Sequence, residues 1–152
     1  MREITVELRR AGPDDALAID ALTQEAYAKW VPVLGRFPKP MTANYDAAVR
    51  DHLIDLLFVG DRLTALIEMI PQADHLLIEN LAVSPACQGA GYGRRLMGHA
   101  EGLAASLGYG EVKLYTNKLF AENLQFYRRL GYQLDREEPF KGGFITHFSK
   151  RL

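Results

Sequence analysis

The chain has 152 residues, 48% of them hydrophobic and 24% charged, which is enough for one substantial core and too few for two ordinary domains. Its net charge of −1, from 18 basic and 19 acidic residues, lacks the electrostatic footprint of a dedicated nucleic-acid binder. No apolar run approaches the roughly 18 residues that span a bilayer, and the charged, alternating start "MREITVELRR" reads as neither signal nor transit peptide, so no membrane partner and a cytoplasmic location are expected.

A single domain over residues 1–152 is expected, because no stretch is linker-like, repetitive or low in complexity. Ile4 to Leu8 alternate as a half-buried strand, and Asp14 or Asp15 stands where it can cap a following helix. In that helix Leu17, Asp20 or Ala21, Gln24 and Tyr27 or Ala28 fall at helical spacing. Pro32, Pro38 and Pro40 then exclude a long regular element between Trp30 and Tyr45, and "DAAVRDHLI" supports a further short helix. Two strands around Gly60-Asp61 and a third from about Leu76 to Val83 make three antiparallel strands in succession. "GYGRRLMGHAEGLAASLG" is an amphipathic helix with Leu96, Ala100, Leu103, Ala104 and Leu107 on one stripe, stopped by Gly108. A strand "EVKLYTN", a helix "AENLQFYRRLG" and a last strand pair complete a mixed α/β order, β-α-α-β-β-β-α-β-α-β-β.

The stretch "SPACQGAGYGRRLM" carries glycines at 89, 91 and 93 between a strand and a helix. Such a turn leaves backbone N–H groups without intrachain partners at the positive end of the helix dipole, which suits phosphate oxygens. A Walker loop is excluded, since Arg94-Arg95 follow Gly93 where a Lys-Ser/Thr pair is required. The dinucleotide fingerprint is excluded too, because Gly89-Ala90-Gly91-Tyr92-Gly93 breaks its spacing and the preceding strands are hairpin-linked. A tight turn with no ligand is the other reading of the glycines alone.

With Gln88, Gly91 and Gly93 the loop resembles the Gln/Arg-x-x-Gly-x-Gly/Ala signature of the GNAT N-acetyltransferase superfamily, and "LYTNKLFAENLQFYRRLGY" is similar to the segment that follows it in many members. The resemblance covers roughly Leu76 to Tyr132. It implies a mostly antiparallel mixed sheet flanked by helices, whose strands ending at Val83 and Thr116 splay to admit acetyl-coenzyme A (acetyl-CoA). The cofactor's pyrophosphate would sit on the N–H groups of Gln88, Gly89, Ala90, Gly91, Tyr92, Gly93 and Arg94, and its pantetheine arm along Leu81, Ala82 and Val83. Asn123 resembles a position that contacts that arm, with Asn117 a weaker candidate because an Asn at a strand end is commonly a turn residue.

The reaction so implied is acetyl transfer to a primary amine of a small molecule or a protein. It asks for a neutral nucleophile, an oxyanion donor and a proton for the departing thiolate. Tyr127 resembles the family's general acid, Glu79 is the candidate base with Glu68 in reserve, and the Val83 N–H is the oxyanion donor. A core tyrosine with its hydroxyl tied off, and a strand carboxylate paired with a neighbouring cation, are the structural alternatives. Trp30 and Tyr45, with Phe37 and Met41, are candidates for the acceptor wall. No metal is expected, since His52, His75, His99 and His147 are dispersed and Cys87 is a lone cysteine. The loop "EEPFKGGF" is expected to border the acceptor site, and the final hairpin leaves a strand edge on which a homodimer is plausible. A sensor that binds acetyl-CoA without transferring anything is the alternative function.

Overall fold

The computed structural model describes residues 5–152, and its strands form one seven-stranded sheet in the order β1-β2-β3-β4-β5-β7-β6. The strands are β1 (Val6–Arg10), β2 (Leu53–Val59), β3 (Arg62–Pro71), β4 (Leu76–Val83), β5 (Glu111–Asn117), β6 (Gln133–Phe140) and β7 (Gly143–Arg151). All neighbours are antiparallel except β4 and β5. The first strand begins two residues later than its alternation suggests, and Ile4 lies outside the described residues.

Helices cover both faces. On one lie α1 (Ala16–Tyr27) and α4 (Tyr45–Asp51), packed through Ile19, Leu22 and Ala48 onto Ile54, Leu56 and Leu66. On the other lie α5 (Tyr92–Ser106) and α6 (Ala121–Arg129), packed through Leu96, Met97, Ala100 and Tyr127 onto Ile67, Met69, Leu114 and Phe148. The buried stripe of α1 is Ala16, Ile19, Leu22, Thr23 and Ala26, whereas Leu17 is 86% exposed. Along the roughly three turns of this alanine- and leucine-rich helix several stripes compete, and sheet contact selects the one led by Ile19. In α5 the fully buried Met97 joins Leu96, Ala100 and Ala104, while Leu107 at the last turn faces solvent.

Between α1 and α4 the proline-rich segment is a strap containing two single-turn helices, α2 (Val31–Leu34) and α3 (Lys39–Thr42). Its backbone is pinned from both sides: Gln24 Nε2 donates to the Met41 carbonyl at 2.6 Å, and the Tyr45 hydroxyl donates to the Pro40 carbonyl at 2.7 Å. Trp30 stacks on Phe120 with ring centroids 4.4 Å apart, tying the strap's start to the entry of α6.

The central irregularity lies in β4. Its register on β3 slips between Ile78, opposite Met69, and Asn80, opposite Glu68, so Glu79 is an inserted, bulged residue. The insertion exchanges the two faces of the strand: Leu76 and Ile78 pack under α5 and α6, but so do Leu81 and Val83, while Ala82 turns to α1. At the same residue the sheet opens. The parallel pairing of β4 with β5 consists of Leu76, Ile78 and the Leu77 between them against Val112 to Leu114, and it ends there.

The edge strand β6 is exposed along its whole length, and its register slips at Asp135. Asp135, Arg136, Glu137, Glu138 and Pro139 make it a guarded edge, since charges, a bulge and a proline all disfavour strand addition. No helix among the described residues is long and apolar enough to cross a membrane.

Candidate active site

Where β4 and β5 part, two cavities meet. The first, of about 500 Å³, is bounded by Leu81 and Val83, the loop from Cys87 to Arg94, and Asn123, Phe126 and Tyr127 of α6. The second, of about 390 Å³, lies on the other side of the same gap, among Glu79, Tyr115, Lys39, Phe140 and His147. Tyr27, Leu81, Asn123 and Tyr127 line both, so they form the passage between them.

The glycine loop has two different reasons for its three glycines. Gly89 and Gly91 have φ of 85° and 88°, the left-handed region in which a side chain is strained. Gly93 has no such φ; a Cβ there would stand 3.3 Å from Phe126 Cζ and 3.7 Å from Val83 Cγ2, so it allows α5 to approach α6. The first N–H of α5 to find a backbone acceptor is that of Arg95, on the Gly91 carbonyl at 3.0 Å. Those of Gly89, Gly91, Tyr92, Gly93 and Arg94 have no partner among the described residues, and all five residues line the first cavity. The Gln88 side chain braces the loop by donating to the Val83 carbonyl at 3.3 Å and accepting from Lys29 Nζ at 3.3 Å. Lys29 in turn pairs with Glu122 at 3.0 Å.

Tyr127 is buried, with its ring edge-on to Phe126 and Tyr132, and burial pushes its phenol well above the usual range. It therefore stays protonated at neutral pH and can donate. No side-chain hydrogen bond ties its hydroxyl among the described residues, in contrast to Tyr27, whose hydroxyl bonds Asn80 Oδ1 at 2.8 Å and the Leu81 carbonyl at 3.3 Å.

Glu79 points into the second cavity and forms a triangle with two residues not expected from sequence. Lys39 Nζ lies 2.9 Å from its Oε1, the Tyr115 hydroxyl donates to the same oxygen at 3.0 Å, and Lys39 also donates to the Tyr115 oxygen at 2.9 Å. Burial works to lower the Lys39 pKa, but its bonds to Glu79 and Tyr115 outweigh burial and hold the ammonium above its ordinary range. His147 sits across the β5–β7 ladder from Tyr115 and bonds Glu138 at 2.8 Å. Phe140 and Glu138 place the β6–β7 hairpin along this second cavity.

Other expected residues fall elsewhere. Trp30 lines the first cavity, and the buried Tyr45 lines a third, smaller one behind the strap together with Glu68. Glu68 is buried against His52 at 2.6 Å, and desolvation raises its pKa. Ala82 is buried toward α1, and Ala90 is at neither cavity. Asn117 lines the second cavity while its Oδ1 accepts from the Leu119 N–H at 3.0 Å, a turn contact. Cys87 lines the first cavity, and no three His, Cys, Asp or Glu side chains among the described residues are placed to hold a metal.

A sheet that splays beside a bulge, with a glycine-braced loop and a tyrosine at the gap, is an acyl-transfer architecture. Residues 19–132 match the model of the acetyltransferase (GNAT) family, and the chain belongs to that family. Its fold is shared by the PaiA N-acetyltransferase of Thermoplasma acidophilum in complex with coenzyme A, at a TM-score of 0.79 and 18% identity, covering 94% of this chain and 98% of that one. The ribosomal-protein-S18-alanine N-acetyltransferase of Escherichia coli superposes at a TM-score of 0.78 and 19% identity, over 97% of this chain and 94% of that one. In sequence the chain is 38% identical over 82 residues to mouse N-alpha-acetyltransferase 80, a match of 54% of this chain and 24% of the mouse protein. The chain thus corresponds to about a quarter of that relative's length. Acetyl-CoA is the cofactor of the family, and the unpartnered N–H groups, with no Cβ at Gly89 or Gly91 to hold an anion off, fit its pyrophosphate.

Proposed function

We propose that the chain is an acetyl-CoA-dependent N-acetyltransferase acting on a primary amine of a small molecule or a protein, with the cofactor in the first cavity and the acceptor in the second. The observation that carries this is the meeting of the two cavities at Tyr127, where β4 and β5 separate. When bound, acetyl-CoA supplies an activated thioester. The N–H groups of Gly89, Gly91, Tyr92, Gly93 and Arg94 would hold its phosphates, whereas those of Gln88 and Ala90 are taken by the Pro85 and Cys87 carbonyls, and the free edge of β4 from Leu81 to Val83, with Asn123 opposite, would guide its arm. The Val83 N–H serves as oxyanion donor. Glu79 takes a proton from the acceptor ammonium, and the Tyr127 hydroxyl gives one to the departing sulfur. An alkylamine, with a pKa near 10.4, asks more of Glu79 than an α-amine near 7.7–8.0, whose neutral form is already populated at pH 7. The mouse relative's name makes amino-terminal amines the first acceptors to screen.

The test is calorimetric titration with acetyl-CoA, followed by turnover on an amine panel. Wild type binds saturably, Gly91→Glu loses binding, and Tyr127→Phe binds normally with kcat lowered by about 10²-fold, the lower end for a general acid. Equal turnover by Tyr127→Phe and wild type would remove the hydroxyl from the reaction, and absence of acetyl-CoA binding by folded wild type would refute the whole reading.

A further inference from the structure

The second cavity already contains an amine. Among the six lysines of the chain, Lys39 is the one that lines it, and its Nζ is held 2.9 Å from the carboxylate proposed as the acceptor's base. The placement belongs to the fold. Lys39 begins α3 between Pro38 and Pro40, and the strap around it is fixed through the Met41 and Pro40 carbonyls by Gln24 and Tyr45. Its side chain is nevertheless 67% exposed, so a shift of the flexible stem along the cavity sacrifices no core packing. The other lysines do not line it: Lys29 pairs with Glu122, Lys113 with Glu111, Lys118 with Glu137 and Lys150 with Glu101, while Lys141 lies over the Phe140 ring.

Resting on the transferase reading above, we infer that Lys39 is the chain's own acetyl acceptor: its amine occupies the acceptor position on Glu79 and is acetylated in cis when acetyl-CoA is bound and no other amine is present. The step needs no further reagent. The Lys39 N–C bond forms as the thioester C–S bond breaks; of the two protons the ammonium loses, one passes to Glu79 and on to solvent, and the other ends on the coenzyme A thiol through Tyr127. Because Glu79 and Tyr115 favour the charged amine, the reaction is slow at neutral pH and accelerates as pH rises. Acetylation abolishes the Lys39 charge and with it the ion pair, leaving Glu79 free for an incoming ammonium. An external acceptor competes with Lys39 for the same carboxylate and protects it.

The experiment is incubation of the purified full chain with acetyl-CoA alone, read by intact mass and peptide mapping. One acetyl group is expected, at Lys39, with a rate independent of protein concentration, at least tenfold slower in Glu79→Gln, and lost in Lys39→Arg without transfer of the label to another lysine. Label spread over Lys29, Lys113, Lys118, Lys141 and Lys150, or a rate that grows with protein concentration, overturns the inference. Lys39 left unmodified by acetyl-CoA alone, in a protein that binds acetyl-CoA saturably and turns over an added amine in a separate assay, overturns it alone, whereas failure of acetyl-CoA to bind overturns the transferase reading and this one with it.

Discussion

Gly91→Ala and Gly98→Ala add the same methyl group to the same helix, yet are expected to move stability in opposite directions. Neither added Cβ meets an atom within 4 Å, so packing contributes nothing to the difference. Gly91, the residue that opens α5, has φ 88° and ψ 6°, where an L side chain costs about 1–2 kcal/mol. Gly98 is exposed inside α5, where alanine gains about 0.5–1 kcal/mol over glycine by restricting the unfolded chain. The two variants should therefore differ by about 1.5–3 kcal/mol, and at about 2–4 °C per kcal/mol their melting temperatures separate by several degrees around that of wild type. Urea unfolding with unchanged m-values would show that stability has shifted without a change in the surface exposed on unfolding. Gly91→Asn should recover part of the loss, since asparagine tolerates the left-handed region. Shifts of the same sign, or a Gly91→Ala protein as stable as wild type, would refute the conformational account of the loop.

Asn80 is buried and joins the hydroxyls of Tyr27 and Tyr45, so Asn80→Ala leaves two buried hydroxyls short of a partner and should cost about 1–3 kcal/mol by chemical denaturation. Trp30→Ala removes the stack on Phe120 and should destabilise by about 3–5 kcal/mol, the range for a buried aromatic, with earlier proteolysis of the strap. Hydrogen bonding to the Arg9 guanidinium holds the Asp15 carboxyl down to about 2, from an ordinary value of 3.8. Asp15→Asn should thus lose a small stabilisation, about 0–1 kcal/mol for a solvent-facing pair, that is constant above about pH 4. The difference between the two proteins should fade as the pH drops through about 2.

The glycine loop was legible because its determinants are local: a strand end, alternate glycines and a helix start lie within one short stretch, and the structure puts Gln88, Gly91 and Gly93 along the first cavity. The place of Tyr127 at the junction of the two cavities was legible only through its neighbours in "FYRRLGY", since an amphipathic helix alone gives no reason to single out one tyrosine. The Glu79 environment was not. Lys39, Glu79, Tyr115 and His147 are brought together by the strap and by the pairing of β5 with β7, contacts between residues far apart in sequence. Tyr115 alone left a trace: in "EVKLYTN" Val112 and Leu114 alternate inward, which places Tyr115 on the other face. The bulge left none. In "LLIENLAV" burial alternates without interruption, and only contacts reveal that the buried positions before and after Glu79 belong to opposite faces. The same ambiguity misplaced the α1 stripe on Leu17, because periodicity fixes a helix more firmly than it fixes which side meets the sheet.

The strap from Ala28 to Asn44 contributes to the second cavity without pairing with any strand of the sheet. Beyond Lys29, which bonds Gln88, and Trp30, which lines the first cavity, its composition and length are thus decoupled from the glycine loop, which hangs from β4 and α5. Under the proposed function, exchanging that one segment between relatives is a route to a different acceptor preference on an unaltered cofactor platform, provided the replacement keeps Lys29 to brace Gln88, an aromatic at Trp30 to dock on Phe120 and a carbonyl for Gln24 to grip.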